Sequence, residues 1–336
     1  MSAVHRPPAL GRGAHVRVVS PSWPSMRYVP QRAERAERAL QALGFRVSYG
    51  AHAYHVSDDG LSAGTPEQRA ADFMDAVTDP DVDAIFSAAG GGTSHELLPF
   101  LDGETIRRHP KPFIGYCENL WLHQYLLYEA NLASYYGAAF MPKCGEAGGM
   151  FPETAESLLR VMTDDGELSY EPVPDRTNVI RSWMDPDMEA APRPRTVEGG
   201  WHWLNDGRGE GQFVGGEVTF LVRCLDRFTP DLTGTVLFWH LMAGNEAPIE
   251  KCLKAMADRA DLTALAGMVV GTDVRYEPAV WVELVAAALA DVVGPVDYPV
   301  LVNADIGDTD PAWVLPYGLD AVLESGVGLR FPGAIR

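Results

Sequence analysis

Cysteine is scarce in this chain. Its four residues, Cys117, Cys144, Cys224 and Cys252, stand far apart without a CxxC pair. That spacing excludes a zinc-ribbon signature and a dense disulfide framework, and it points to a reducing cytoplasm. Positive charge is also short: 27 Lys and Arg face 46 Asp and Glu, for a formal charge of −19. A nucleic-acid partner is therefore not expected, because a phosphate backbone needs a basic surface. The basic residues that do cluster, Arg32, Arg35 and Arg38, share one helical segment and read as a solvated helix face. No apolar run reaches the length of a membrane span. The opening MSAVHRPPALGRG is broken by prolines and cannot serve as the apolar region of a signal peptide. Internal repeats and low-complexity runs are lacking too. A soluble protein that stays where it is made is expected.

What is present suffices for two ordinary domains: 336 residues, 46% of them hydrophobic. The first half alternates short β-branched runs with amphipathic segments. HVRVVS (15–20), FRVSYG (45–50), DAIFSA (83–88) and PFIGY (112–116) read as strands. QRAERAERALQAL (31–43) has apolar residues at helical spacing and stops at Gly44. Thr65-Pro66-Glu67-Gln68 resembles a helix start, with the helix running to 78. This alternation predicts a parallel sheet flanked by helices. Residues 164–212 are rich in Pro, Asp and Arg without sustained periodicity, and read as a crossover carrying a long loop. Strands then return at 235–240, 267–271, 299–304 and 321–325, with helices at about 248–258 and 277–291 between them.

In α/β sheets ligands gather at the carboxyl ends of strands. The first such place here is SAAGGGTSHELLP, whose Gly90, Gly91 and Gly92 let the backbone approach a ligand and aim N–H groups at a developing oxyanion. A plain tight turn explains the glycines equally well. The second is PFIGYCENLWLHQYLL, in which Cys117 occupies the turn between a strand and a helix. A residue there is raised above the sheet beside a helix N-terminus that favours its anionic form. That is the physics of a nucleophile elbow, although the full G-x-S-x-G pattern is missing. A lone cysteine is more often a small buried hydrophobe. His123, six residues on, reads as a packing residue.

These segments, at this separation, resemble the LD-carboxypeptidase family. Its nucleophile segment is a hydrophobic-I-G-Y-S-D stretch entering a helix, and its oxyanion loop is a Gly-Gly turn followed by Leu-Leu-Pro. Here the pair reads FIGYCENLWLH and GGGTSHELLP. YYGAAFMPKCGE is similar to the family's Y-G-P-A-L-V-P segment and GGEVTFL to its G-G-N-L stretch, so the likeness covers roughly residues 15–325. Details resemble most the microcin C immunity branch, which cleaves amide-linked aminoacyl-nucleotide analogues. That branch carries Trp-Thr-Asp in the interdomain loop, where this sequence has Trp183-Met184-Asp185.

The departures fall on the site. By the resemblance, Cys117 stands where the family has its serine, Glu118 where an aspartate follows, His240 where a glutamate stands, and Asp308 where the catalytic histidine stands. Glu217 replaces the asparagine of G-G-N-L. Cys117, His240 and Asp308 still make a set of triad-capable types, but base and orienter have exchanged positions. A carboxylate beside Cys117 would raise its thiol pKa. Either His240 reaches past Asp308 to the thiol, or His240 polarises Asp308, which acts on substrate as a general acid or base. Trp183 is a candidate for stacking on a planar ligand group; Trp201 and Trp203 anchor the crossover.

The expectation is an α/β chain with a flavodoxin- or Rossmann-like parallel sheet at 1–165, a crossover at 166–212, and a swivelling, β-rich α/β domain at 213–336. By resemblance it is a homodimeric, cytoplasmic, metal-independent hydrolase without a cofactor. Its partner is an amide- or acyl-derived small molecule of specialised metabolism or self-resistance, with no nucleic acid and no membrane involved. The alternatives are an acid–base catalyst (cyclase, lyase or isomerase) built on Asp308 and His240, and a non-catalytic ligand-binding protein.

Overall fold

The computed structural model describes residues 4–164, 166–244 and 247–333. The chain divides into two compact units. One comprises Met1–Asp164, Val179–Pro194 and Val314–Pro316; the other comprises Asp165–Asn178, Arg195–Trp313 and Tyr317–Arg336. The boundary expected at 165 falls on a residue outside the described ones. The segment 166–212 is shared between the units, with 179–194 belonging to the first.

The first unit is built on a parallel sheet in which Ser134–Tyr136, Phe113–Gly115, Ala84–Ser87, His15–Val19 and Arg46–Tyr49 lie side by side in that order. Ala84–Ser87 and Phe113–Gly115 are buried at every position, the pattern of strands covered on both faces. Helices Pro30–Ala42, Pro66–Thr78 and Leu120–Ala130 pack against the strands. The start at Pro66 is set by a reciprocal cap. Gln68 N–H donates to Thr65 Oγ1 at 3.3 Å, and Thr65 N–H donates to Gln68 Oε1 at 2.9 Å. Helix Leu120–Ala130 is buried nearly all round and stops at Asn131 in a left-handed conformation.

The second unit carries an eight-stranded sheet. Its order is Leu168–Tyr170, Gly328–Phe331, Asp320–Glu324, Arg208–Glu217, Val236–His240, Gly267–Gly271, Val300–Ala304 and His202–Asn205. Arg208–Glu217 through Val300–Ala304 run parallel, and the flanking strands pair antiparallel. The buried runs VLFWH, GMVVG and VLVNA form its centre, with helices Val218–Phe228, Ile249–Ala257 and Pro278–Val292. A parallel-sheet N-terminal region and a separate β-rich α/β region agree with the expected fold class.

Two expectations need correction. The stretch 164–212 is not a plain loop: it contributes strands Leu168–Tyr170, Asp175–Arg176, Val197–Glu198, His202–Asn205 and the start of Arg208–Glu217. These pieces are short and several pair with residues far along the chain, such as Trp203 with Leu301 and Leu168 with Phe331. Local periodicity cannot reveal them. Arg32 is not solvated either. It is 2% exposed, and its guanidinium donates to Glu189, to Glu146 Oε2 and to the Met141 and Pro142 carbonyls. Arg35 also pairs with Glu189. Only Arg38, 66% exposed at its side chain, lies on the solvated face.

His123 is fully buried in helix Leu120–Ala130, where its Nε2 meets the Gly115 carbonyl at 3.0 Å and its Nδ1 meets Ser134 Oγ at 2.7 Å. A carbonyl only accepts, so Nε2 carries the proton and Nδ1 accepts from the serine. Burial drives the imidazole pKa down to about 3, opposed by the bond to Gly115. Below pH ~6.5 the unfolded chain therefore takes up a proton that the folded chain refuses until about pH 3. This group's stability is present above pH ~6.5 and lost as pH falls, by ~1.4 kcal/mol per pH unit. His123→Gln keeps a donor and an acceptor without titrating. Urea unfolding between pH 7 and 4 should show wild type losing that much more stability per unit than the variant; parallel curves would mean that the buried ring is charged.

Candidate active site

Cys117 sits where strand Phe113–Gly115 turns through Cys117–Asn119 into helix Leu120–Ala130. Its backbone is left-handed, with φ 59°, which costs a non-glycine residue ~1–2 kcal/mol and persists only where the surroundings fix it. Here Cys117 N–H donates to Tyr136 Oη at 3.0 Å. None of the four cysteines is in a disulfide, and all are buried. Burial pushes the thiols of Cys144 and Cys252 up, which makes them inert at neutral pH. Among the cysteines, Cys117 alone has the left-handed turn of an elbow.

The glycine loop lies against this turn. A Cβ on Gly90 would stand 3.5 Å from Cys117 Cβ, 3.6 Å from its Sγ and 3.6 Å from Glu118 N, so the missing side chain leaves space beside the sulfur. Gly91 has φ 156°, and a Cβ there would fall 2.2 Å from Ser22 Oγ and 2.8 Å from Trp23 N. No other residue fits. Ser22 Oγ accepts the Gly92 and Thr93 N–H groups, each at 3.0 Å, and Gly90 O accepts Trp23 N–H at 3.3 Å. Among the described residues no hydrogen bond takes the Gly91 N–H.

Glu118 is fully buried, and its carboxyl accepts the Ser94 N–H while Ser94 Oγ donates to the Glu118 carbonyl at 3.1 Å. Its side chain thus ties the end of the glycine loop to the Cys117 turn. Burial lifts the carboxyl above the usual range, opposed by the Ser94 amide and by the Ser22 and Ser94 hydroxyls. Lys143, 4% exposed, holds its Nζ 5.7 Å from the ring centre of Tyr116, the residue before Cys117.

Trp183 is half-buried on the same unit. The Arg32 guanidinium lies 4.5 Å from its ring centre, and Trp23 lies 6.0 Å away. Because Trp23 N–H bonds Gly90 O, the indole is linked through one neighbour to the glycine loop. The loop bearing Trp183 is pinned by Glu189 to Arg32 and Arg35, and by Arg193 to Glu146. Removing one partner of such a buried set typically costs ~3–5 kcal/mol.

In the second unit His240 ends strand Val236–His240, fully buried, with Glu217 opposite it in register. Gly271 and Gly307 leave room for the imidazole; a Cβ on Gly307 would lie 2.6 Å from its Nδ1. The next residue, Asp308, is half-buried and its Oδ2 accepts the Ala243 N–H at 2.9 Å. The loop carrying Asp308 therefore passes directly over His240. Glu217 does something else. It caps helix Val218–Phe228, accepting the Thr219 and Phe220 N–H groups at 2.8 and 3.2 Å, and reaches Met242 N–H at 3.4 Å. Trp201 donates Nε1–H to the buried Asp305 at 2.8 Å. Burial raises Asp305 to about 6, opposed first by Arg176.

Sequence reasoning missed Ser22 and Arg69. Ser22 lies in PSWPS, which reads as an ordinary turn, and Arg69 reads as a helix-surface arginine in PEQRAADF. Both gain meaning only from the glycine loop, some seventy and some twenty-five residues further on.

A strained strand-to-helix turn facing a glycine loop, with a β-rich α/β unit following, defines the class of two-domain α/β protein. The chain belongs to the LD-carboxypeptidase family, whose N-terminal domain matches residues 16–137 and whose C-terminal domain matches residues 210–323. The Microcin C7 self-immunity protein MccF of Escherichia coli is 26% identical over 324 residues, covering 94% of this chain and 92% of that protein. A putative carboxypeptidase of Streptomyces coelicolor is 28% identical over 336 residues, covering 98% and 96%. In fold the chain is similar to an MccF-like protein from Bacillus anthracis (TM-score 0.86, 24% identity, 98% and 99% of the chains). It is similar also to MccF in complex with glutamyl sulfamoyl guanosine (TM-score 0.82, 23% identity, 98% of each chain). Among the described residues, no helix is long and apolar enough to cross a membrane.

The capping geometry makes Glu217 testable. Glu217→Ala should lower stability by ~1 kcal/mol, as loss of an N-cap does, seen as a lower urea midpoint with unchanged m-value. Ligand affinity measured on the folded variant should stay within about twofold; a tenfold loss of affinity without loss of stability would show that Glu217 contacts the ligand.

Proposed function

We propose that this chain is an LD-carboxypeptidase-like hydrolase that cleaves an amide- or acyl-linked small molecule, with Cys117 as nucleophile. The observation that carries this is the left-handed backbone of Cys117 beside the open face of Gly90. Unlike left-handed Asn131 and Thr229, Cys117 does not end a helix but stands between a strand and a helix, and strain there supports a position held for chemistry. In the reaction Cys117 Sγ attacks the carbonyl, and the oxyanion forms beside the N–H groups of Gly91 and Glu118. The Glu118 N–H is a first-turn amide without an intrahelical partner. The thioester then yields to water. Asp308 and His240 supply the acid–base function in reversed order: the half-exposed Asp308, polarised by the fully buried His240, takes up the proton the Cys117 thiol loses, gives it to the leaving group, and returns one from water to the thiolate as the thioester is hydrolysed. Trp183 bounds the ligand's planar part. Like its relatives' ligands, the substrate would be an aminoacyl nucleotide analogue or an LD-linked peptide, met by a cytoplasmic homodimer in self-resistance or specialised metabolism.

A different reading has its own support. Asp308 is more exposed than His240, as a group acting directly on substrate should be. On that reading the pair is an acid–base catalyst of a cyclase, lyase or isomerase, and Cys117 is a bystander.

The two separate cleanly. Incubation with aspartyl sulfamoyl adenosine or an LD-tetrapeptide, followed by mass spectrometry, should reveal hydrolysis and a substrate-derived adduct on wild type. Cys117→Ala should lose both, by at least 10³-fold in rate. Full activity in Cys117→Ala would eliminate the cysteine hydrolase. His240→Ala and Asp308→Ala should each lower kcat, with the double variant little worse than the worse single one; additive losses would refute a shared proton-transfer unit.

A further inference from the structure

The glycine loop is not held by its own turn. Ser22 Oγ accepts two N–H groups, from Gly92 and Thr93, which uses both of its lone pairs. Its own proton must then point elsewhere: Thr93 Oγ1 lies 3.1 Å away, and the Glu118 carboxyl also feels this hydroxyl. Thr93 Oγ1 takes an N–H from Arg69 Nη1 at 3.1 Å and lies 2.9 Å from Ser62 Oγ. The three hydroxyls thus form one chain. The same Arg69 Nη1 donates to the Pro21 carbonyl at 2.6 Å and to the Thr93 carbonyl at 3.1 Å. Arg69 is 2% exposed, and its other arm reaches Glu96 Oε2 at 2.5 Å. One buried guanidinium therefore spans the loop that bears Ser22 and the loop that bears the glycines.

The consequence concerns which donors stay open. Gly92 and Thr93 N–H are taken by Ser22, and Ser94 N–H is taken by Glu118. Among the described residues, Gly90 and Gly91 N–H are the glycine-loop amides that no hydrogen bond takes, and Gly90 lies against the Cys117 turn. A serine at 22 also forbids any side chain on Gly91, since a Cβ would sit 2.2 Å from its Oγ. The loop is exposed at Gly91 and Gly92, so without this bracket water would compete for all its amides.

We propose that Ser22 and Arg69 are positioning residues for the oxyanion loop: by holding the amides of Gly92 and Thr93 and bridging Pro21 to Thr93, they fix the open Gly90–Gly91 amides at the Cys117 turn. This rests on Cys117 attacking a carbonyl. Neither residue touches the substrate. Their effect acts on the transition state, where a preset donor matters most.

The test uses the full-length protein and Ser22→Ala. The exposed loop can satisfy its freed amides with water, so the variant should fold; Arg69→Lys, which keeps the charge but not the two-carbonyl span, is the companion variant. Three quantities are measured. Amide hydrogen exchange across residues 90–94 should accelerate at least tenfold in Ser22→Ala. On aspartyl sulfamoyl adenosine or whichever assay substrate wild type turns over, kcat should fall about 10- to 100-fold with KM within threefold. Alkylation of Cys117 by iodoacetamide, which forms no oxyanion, should keep its rate. Unchanged exchange overturns the bracket, and accelerated exchange with unchanged kcat overturns its role in the reaction. Slowed alkylation in parallel with kcat also overturns it, since that reports general damage to the turn. If wild type turns over neither substrate the hydrolase reading falls, and the exchange measurement still decides whether Ser22 holds the loop.

Discussion

The left-handed backbone at Cys117 is the constraint on which the first unit's site depends. A cysteine there costs ~1–2 kcal/mol that glycine would not, and the cost is offset by everything joined to the turn. Tyr136 takes the Cys117 amide, Glu118 binds Ser94, and His123 anchors the following helix to the Gly115 carbonyl. Each of these partners comes from a neighbouring strand end or from the loop after it. The parallel order of Ala84–Ser87, Phe113–Gly115 and Ser134–Tyr136 brings those ends together, so sheet topology and elbow strain are one problem with one solution.

Three arginines lie buried inside an acidic chain. With a net charge of −19 the protein has few cations, yet Arg32, Arg69 and Arg176 are among its most fully buried large side chains. Each joins segments far apart in sequence. Arg32 fixes the Trp183 loop through Glu189; Arg69 links Pro21 to Thr93; Arg176 meets Asp305, Thr272 and Gly200. A guanidinium offers five donors in a fixed fork, and buried carbonyls and carboxylates at loop crossings need such a donor. Surplus carboxylates are treated the same way: Glu217 serves as a helix cap and Glu118 as a loop tie.

In the second unit one side chain constrains its neighbours. A histidine at the end of Val236–His240 needs the space left by Gly271 and Gly307, and the residue after Gly307 is Asp308. His240 and Asp308 are thus neighbours through packing of two strand ends, with Glu217 in register beside the histidine but turned to its own helix.

The alternation of strands and helices, the capping box at Thr65, the buried runs VLFWH and GMVVG, and the Cys117 turn beside a Gly-Gly-Gly loop could all be read from the chain. They rest on local periodicity, turn chemistry and the short-range rules of helix ends, which a linear sequence carries in full. The strands within 168–205 could not be read, because their partners lie far along the chain and their own residues lack alternation. Nor could the burial of Arg32, the capping role of Glu217, or Ser22 and Arg69 as holders of the glycine loop. In each case the residue's meaning is its hydrogen-bond partner, and that partner is chosen when distant strand ends meet. Local patterning determined which segments fold and where the strand-to-helix turn at Cys117 falls; tertiary contact decided which polar side chains hold the backbone, since only contact fixes which donor meets which acceptor.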